Sequence, residues 1–366
     1  MHDAIPPDFR QESYDYALPE ERIAQHPADR RDASRLMVLD RATGETREAA
    51  FADLPDLLPP GALLVANNSK VIPARLMGAK PSGGRVEFLL LTPPPLLTPE
   101  TATDGACTAE AEGLLRASKG PRPGEHVDFA PELSLTVLQR GDFGRSRVRL
   151  RWTGGPAGLT PLMERLGAMP LPPYIRRPAD ADDAARYQTV YADASKAGSV
   201  AAPTAGLHFT PEIRARLAEA GFGWAEVTLY VGYGTFSPVR CADIREHRMH
   251  KEYIEVGAET ARAVAQAKAA GRPVVAVGTT SARTLEGMHQ ALGTIGAFQG
   301  ETDIFIRPCS PFHVVDSMLT NFHLPKSSLL IMISALAGRE SVLRAYARAL
   351  DSGFRFFSYG DAMLIR

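Results

Sequence analysis

The sequence predicts an α/β domain interrupted by an inserted all-β, barrel-like module. Three observations carry this. From about Thr210 onward the chain repeats helix, glycine, strand, which is the rhythm of a layered α/β domain. Between Val86 and Trp152 there are only short apolar runs separated by Gly and Pro, with no helical period of useful length. Polar, turn-rich segments flank that stretch, and α/β-like sequence resumes after it, so the β module reads as an insertion. With 366 residues, 45% of them hydrophobic, the chain can bury a large core and is long enough for two domains.

In the α/β part, Thr210-Pro211-Glu212 supplies an N-cap, a first-turn proline and a first-turn acid. The helix they open runs to Ala220 and stops at Gly221. A strand follows from Ala225 to Val231, then a helix over Glu259–Ala270 that stops at Gly271, then a strand over Pro273–Val277. Ser327–Leu336 and Glu340–Leu350 read as two more helices. In the β module the runs Val86–Leu91, Glu112–Ala117, Leu133–Leu138 and Arg147–Trp152 read as strands. Thr92–Ala111 is rich in Pro, Thr and Ala without periodicity and reads as an exposed loop.

Charge and cysteine content narrow the function classes. Charged residues make up 23% and the formal net charge is -1, so no global basic field exists and any nucleic-acid contact must be local. Cys107, Cys241 and Cys309 are far apart, which argues against a disulfide framework or a cysteine metal site and fits a reducing cytoplasm. Met1–Arg10 lacks an apolar core segment, so no signal peptide is read. The longest apolar run, Ser328–Ala337, is too short to span a bilayer. The expectation is a soluble, cytoplasmic protein.

Several segments can carry chemistry. Pro273–Arg283 places a strand before Gly278, Thr279, Thr280 and Ser281 and a helix start, where free amides suit a carboxylate or phosphate; a capped helix that binds nothing is the plainer alternative. Gly198–Thr210 is a loop of small residues, including Thr204 and Gly206, that lets backbone approach a ligand, and it holds His208, which is either a proton-transfer group or a packed histidine. Leu229–Phe236 alternates glycine and aromatics, with Tyr233 able to face a flat heterocycle. Glu246–Glu252 holds two histidines and two acids, but their spacing favours a proton-transfer or structural role over a metal. Asn321–Ser328 is a polar turn containing His323. Arg145, Arg147, Arg149 and Arg151 fall at every second position, so a strand would put them all on one face. Either an anionic partner such as tRNA lies against them, with Arg116, Lys119 and Arg122 extending the surface, or acids on a neighbouring strand do.

Taken together, these segments resemble the S-adenosylmethionine:tRNA ribosyltransferase-isomerase family of queuosine biosynthesis. The matching text spans nearly the whole chain: Ser34-Arg35-Leu36 with Val38-Leu39-Asp40; Asn67-Asn68 and Val71 to Leu76; Met169 to Ile175; Ala201 to Phe209; Ala276 to Ser281; Thr320 to Pro325; and Phe354 to Met363. The resemblance implies an α/β domain over residues 1–68 and 172–366, interrupted by a β-barrel over 69–171 that contacts tRNA. It implies a transferase that moves and isomerises the ribosyl part of S-adenosylmethionine onto 7-aminomethyl-7-deazaguanine at the tRNA wobble position. The products are epoxyqueuosine, adenine and methionine. S-adenosylmethionine is then a consumed substrate; no cofactor, metal, membrane or obligate protein partner is implied. The site residues expected on this basis are His208 or His323 for acid–base work. Thr204, Gly206, Tyr233, Thr279, Thr280, Ser281 and Asn321 are expected to bind substrate, and Asn67, Asn68, Arg75, Arg145, Arg147 and Arg149 to meet tRNA. Tyr230 and Tyr233 stand where the family usually carries a histidine and an alanine. Pro308-Cys309-Ser310 stands where it usually has Pro-Gly-aromatic. The rivals are a conventional tRNA methyltransferase and a non-catalytic RNA-binding protein.

Overall fold

Alternation along the first strand sets up a sheet buried on both faces. In β1 (Arg35–Leu39), Leu36 and Val38 belong to one apolar cluster, and Met37 and Leu39 to another. The computed structural model describes residues 5–232 and 239–366. After β1 come β2 (Thr46–Ala50), β3 (Leu63–Asn67) and the short β4 (Lys70–Val71). The chain then builds a second sheet from β5 (Arg75–Ala79), β6 (Arg85–Leu90), β7 (Glu100–Thr101), β8 (Cys107–Arg116), β9 (His126–Ala130), β10 (Leu133–Arg140) and β11 (Arg145–Trp152). It returns through β12 (Ala197–Ser199) to β13 (Gly223–Leu229), β14 (Glu252–Val256), β15 (Val274–Val277), β16 (Phe298–Thr302), β17 (Ser317–Asn321) and β18 (Ala362–Ile365).

The large sheet has the order β16-β14-β13-β3-β15-β17-β18-β1-β2. Its middle strands β13, β3, β15 and β17 are mutually parallel, while the β17–β18 pair and the two margins are antiparallel. Helices α1 (Leu54–Leu57) and α4 (Pro211–Glu219) cover the face that buries Leu36, Leu64, Val275 and Val277. Helices α5 (Ala258–Ala269), α6 (Thr279–Leu292), α7 (Ser328–Ala337) and α8 (Arg339–Asp351) cover the other. In the second sheet β11 also pairs with β8, which closes six antiparallel strands into a barrel with β7 on its flank. Phe88, Leu135, Val148 and Trp152 fill its core. The expected α/β sheet with a barrel module is the architecture that forms. Among the described residues no helix is long and apolar enough to cross a membrane.

The α/β elements lie within about two residues of their expected bounds. Thr210 caps α4, its Oγ1 accepting from the Ile213 amide at 3.2 Å. Ser327 caps α7 through the Leu330 amide at 3.2 Å. The barrel differs more. Thr92–Ala111 is not all loop: it contains β7 and the first half of β8, whose inward positions Cys107, Ala109 and Ala111 are small and buried. A strand whose buried face is Cys and Ala shows no strong apolar run. Strands β5 and β9 were not anticipated, since each is five residues long and mixes polar residues into the pattern.

Candidate functional site

The middle of the sheet directs several chain ends toward one cleft. In open α/β sheets, ligands bind beyond the carboxyl ends of the strands. Here the segments leaving β15 (Gly278, Thr279, Thr280) and β17 (Asn321, His323) line a cleft together with Thr204, Tyr174, Phe357 and Ser358. Gly278 adopts φ 91, and its amide donates to the Leu319 carbonyl at 2.7 Å, so the chain turns sharply from strand into α6. The first helical acceptor used in α6 is the Gly278 carbonyl, taken by the Ala282 amide. The amides of Thr279, Thr280 and Ser281 thus precede the helical ladder at a positive dipole end. Thr280 Oγ1 and Asn321 Oδ1 are buried with no partner among the described residues. Among the described residues that line the cleft none is Asp, Glu, Lys or Arg.

The two candidate histidines are separated by the fold. His323 lines the cleft; its Nε2 lies 2.8 Å from Thr320 Oγ1, and its backbone amide donates to Tyr346 Oη at 2.9 Å. His208 does not line the cleft. It ends the short 3-10 turn Thr204–His208, stacks on Phe51 with ring centres 5.1 Å apart, and bonds Ser34 Oγ and Asn321 Nδ2. Burial pulls both imidazoles down to about 3, helped for His208 by the positive charges of Arg355 and Arg31. Both rings are therefore neutral at pH 7. The unfolded chain binds protons on them near 6.5 and the folded chain only near 3, so their contribution to stability is complete above 6.5 and is lost as pH falls from there. The urea midpoint should begin to drop below about pH 6.5, ahead of the carboxylates. A midpoint flat from pH 7 to 5 would contradict this.

The other expected site residues divide into those near the cleft and those the structure places elsewhere. Gly206 faces away: a Cβ there would meet Tyr191 Oη at 2.0 Å, so packing against Tyr191 requires the glycine. The Ser281 hydroxyl donates to the Val277 carbonyl at 2.8 Å and does not line the cleft. Tyr233 lies outside the described residues. Asn67 is fully buried and its amide is used on backbone: Nδ2 donates to the Leu229 carbonyl, and Oδ1 accepts from the Leu229 and Ser69 amides. It ties β3 to β13 and does not present itself to tRNA. Asn68 bonds Thr228 and Glu226.

The arginine stripe has counter-charges within the barrel. Arg147 and Arg149 on β11 lie opposite Glu112 and Glu110 on β8. Arg145 pairs with Glu112; Arg147 and Arg149 reach Glu110 at 3.7 Å and 3.3 Å; Arg151 pairs with Asp104. The neighbouring strand supplies the counter-charge, so a phosphate backbone is not needed to explain the stripe. Arg145 also donates to His250 Nδ1 at 3.1 Å, joining the barrel to the sheet. Nearby, Tyr230 stacks on Tyr253 with ring centres 6.0 Å apart. Among the described residues no three His, Cys, Asp or Glu groups come together as a metal shell.

Arg75 is placed differently. It sits at a hollow between the barrel and the Pro-rich segment 168–179, with Glu87, Arg116 and Arg177 among the charged lining residues and Leu89, Leu114 and Leu171 among the apolar ones. Arg75 donates to the Leu171 carbonyl at 3.1 Å and approaches Glu87 at 3.6 Å. Arg177 is held by Asp183, whose carboxyl is pulled down to about 2, although its burial opposes this, by hydrogen bonds from Arg177 and Tyr359. Sequence reasoning did not assign Tyr174, Phe357 or Ser358 to the site. Tyr174 Oη and Ser358 Oγ are 2.6 Å apart, and the rings of Tyr174 and Phe357 are 4.6 Å apart. Both segments stood inside the quoted motifs, which was the available signal.

Fold and cleft together define an α/β protein with an inserted closed barrel and a largely uncharged ligand cleft at the carboxyl edge of its parallel strands. The family described as Queuosine biosynthesis protein matches residues 11–365, and the chain belongs to that family. It is 61% identical over 371 aligned positions to the S-adenosylmethionine:tRNA ribosyltransferase-isomerase of Nitratidesulfovibrio vulgaris strain DP4, covering 100% of this chain and 99% of the relative. It is 60% identical over 363 positions to the protein of the same name from Oleidesulfovibrio alaskensis, covering 99% and 94%. Among solved structures it is similar to the S-adenosylmethionine tRNA ribosyltransferase of Thermotoga maritima. There the TM-score is 0.53 and the identity 34%, over 96% of this chain and 99% of that one.

Proposed function

We propose that the chain transfers and isomerises the ribosyl part of S-adenosylmethionine onto 7-aminomethyl-7-deazaguanine in tRNA, acting in the cytoplasm and consuming no cofactor. The observation that carries the reading is the cleft itself. It combines a helix N-terminus, a Thr280 hydroxyl and an Asn321 carbonyl oxygen that have no partner among the described residues, and an aromatic pair, with no formal charge among the described lining residues.

S-adenosylmethionine brings a carboxylate, a sulfonium and a purine. The α6 amides and Thr280 suit the carboxylate, and Tyr174 with Phe357 suits the purine. The sulfonium acidifies the adjoining 5′ carbon, from which a base removes a proton. Adenine then leaves from C1′, the ribosyl carbons close to an epoxide-bearing ring, and the aminomethyl nitrogen displaces methionine. His323 is the histidine that reaches the cleft, and its buried, neutral ring keeps a nitrogen lone pair available at pH 7. The test is to incubate the protein with S-adenosylmethionine and precursor-bearing tRNA. Free adenine, free methionine and an epoxycyclopentanediol mass gain support the reading. A transferred methyl group, or tRNA binding without adenine, sinks it.

For tRNA, the reading places the substrate over the hollow bearing Arg75 and Arg116, and not over the stripe on β11. Arg116→Ala should weaken tRNA binding and reduce the log–log salt slope by about one, with affinity for S-adenosylmethionine unchanged. An unaltered salt slope would move the tRNA path elsewhere.

A further inference from the structure

The orientation of Asn321 is fixed by its surroundings. The Phe357 carbonyl can only accept, so the Asn321 atom 3.1 Å from it is Nδ2. Phe357 adopts φ 69, a left-handed backbone rare for a bulky residue, in the turn that brings this carbonyl to Asn321. The same Nδ2 lies 3.1 Å from His208 Nε2, which must therefore offer its lone pair. A neutral His208 with a bare Nε2 carries its proton on Nδ1, 2.7 Å from Ser34 Oγ. The Ser34 hydroxyl in turn donates to the Arg31 carbonyl at 3.3 Å. Each donor in this series is taken up by another protein group. The group left over is Asn321 Oδ1, buried and without a partner among the described residues, on a residue that is 2% exposed and lines the cleft. A buried carbonyl oxygen left in that state costs stability until a donor reaches it.

We propose that His208 and Ser34 are positioning residues that hold the Asn321 carbonyl oxygen toward the cleft, where it accepts a hydrogen bond from the exocyclic amino group of the S-adenosylmethionine adenine. This rests on the function proposed above. The amine is favoured as donor because the Asn321 amide is tied to the backbone of Phe357, whose ring with Tyr174 forms the aromatic side of the cleft. His208 then touches no substrate; with the Phe357 carbonyl it occupies the Asn321 amide hydrogens and reinforces the direction of that amide.

The test compares S-adenosylmethionine with its analogue carrying a carbonyl oxygen in place of the 6-amino group, by calorimetric competition. The wild-type protein should prefer the amine by at least about a hundredfold, because the carbonyl would set two acceptors against each other. His208→Gln keeps an acceptor and should retain that preference, with turnover within a few-fold of wild type. His208→Leu removes one of the two acceptors on Asn321 Nδ2, leaving the Phe357 carbonyl, and should lose part of the preference, about tenfold or more, through KM more than kcat. Equal binding of both compounds by the wild-type protein overturns the assignment even if a variant fails to fold. Loss of turnover in His208→Gln with the preference intact also overturns it, since proton transfer by His208 would then be the explanation. A wild-type protein that binds neither compound and releases no adenine removes the function and this inference together.

Discussion

His323→Ala is expected to lower adenine release by about a hundredfold or more while changing affinity for S-adenosylmethionine little. The ring lines the cleft, Thr320 and Tyr346 hold it in place, and burial keeps it unprotonated. Removing it takes away a proton acceptor without opening the α6 end of the cleft. Single-turnover rates on saturated protein report this directly. A drop of less than about tenfold would be too small for general-base catalysis and would assign the proton to another group, such as the tRNA base itself.

Glu252→Ala should destabilise the fold by about 3–5 kcal/mol. Glu252 and Arg283 are 5% and 1% exposed, and they form an ion pair inside the protein. Glu252 Oε1 also accepts from the Gly232 amide at 3.1 Å. Arg283 Nε and Nη2 are buried without partners among the described residues, so losing its carboxylate leaves a buried charge poorly supported. Replacing both residues by leucine should recover most of the loss, because an apolar pair carries no desolvation penalty. Urea unfolding of the two variants decides it. A cost below about 1 kcal/mol for Glu252→Ala would mean that water reaches the pair.

The sequence made the α/β half readable because its signals are local. Thr210-Pro211-Glu212 contains its own capping chemistry, and the stops at Gly221 and Gly271 lie next to the helices they end. The cleft was readable as far as Thr279, Thr280, Asn321 and His323, since strand ends followed by polar turns mark where such clefts form. The rest depended on partners distant along the chain. The acids that balance the arginines of β11 come from β8 and the loop before it, more than thirty residues earlier. Asn67 looks like a site residue by type, yet Leu229 claims its amide. Nothing local distinguishes His208 from His323; the difference is made by Ser34, 174 residues away. The departure at Cys309 acquires a physical meaning only with coordinates: it sits at φ 70, a conformation in which the glycine usual in the family is unstrained.

The described residues along the cleft include no acidic side chain, and in the proposed reading this has a consequence for how reactive the bound donor remains. A carboxylate set against the sulfonium would tighten binding, but it would also drain the electron demand that loosens the 5′ proton, spending affinity on the resting state. Walls built from hydroxyls, amides and rings leave that cation unquenched. In the proposed reading the methionine carboxylate lies at the far end, against the α6 amides, and it departs with the leaving group. Tight binding and an activated donor are thus served by different ends of one molecule.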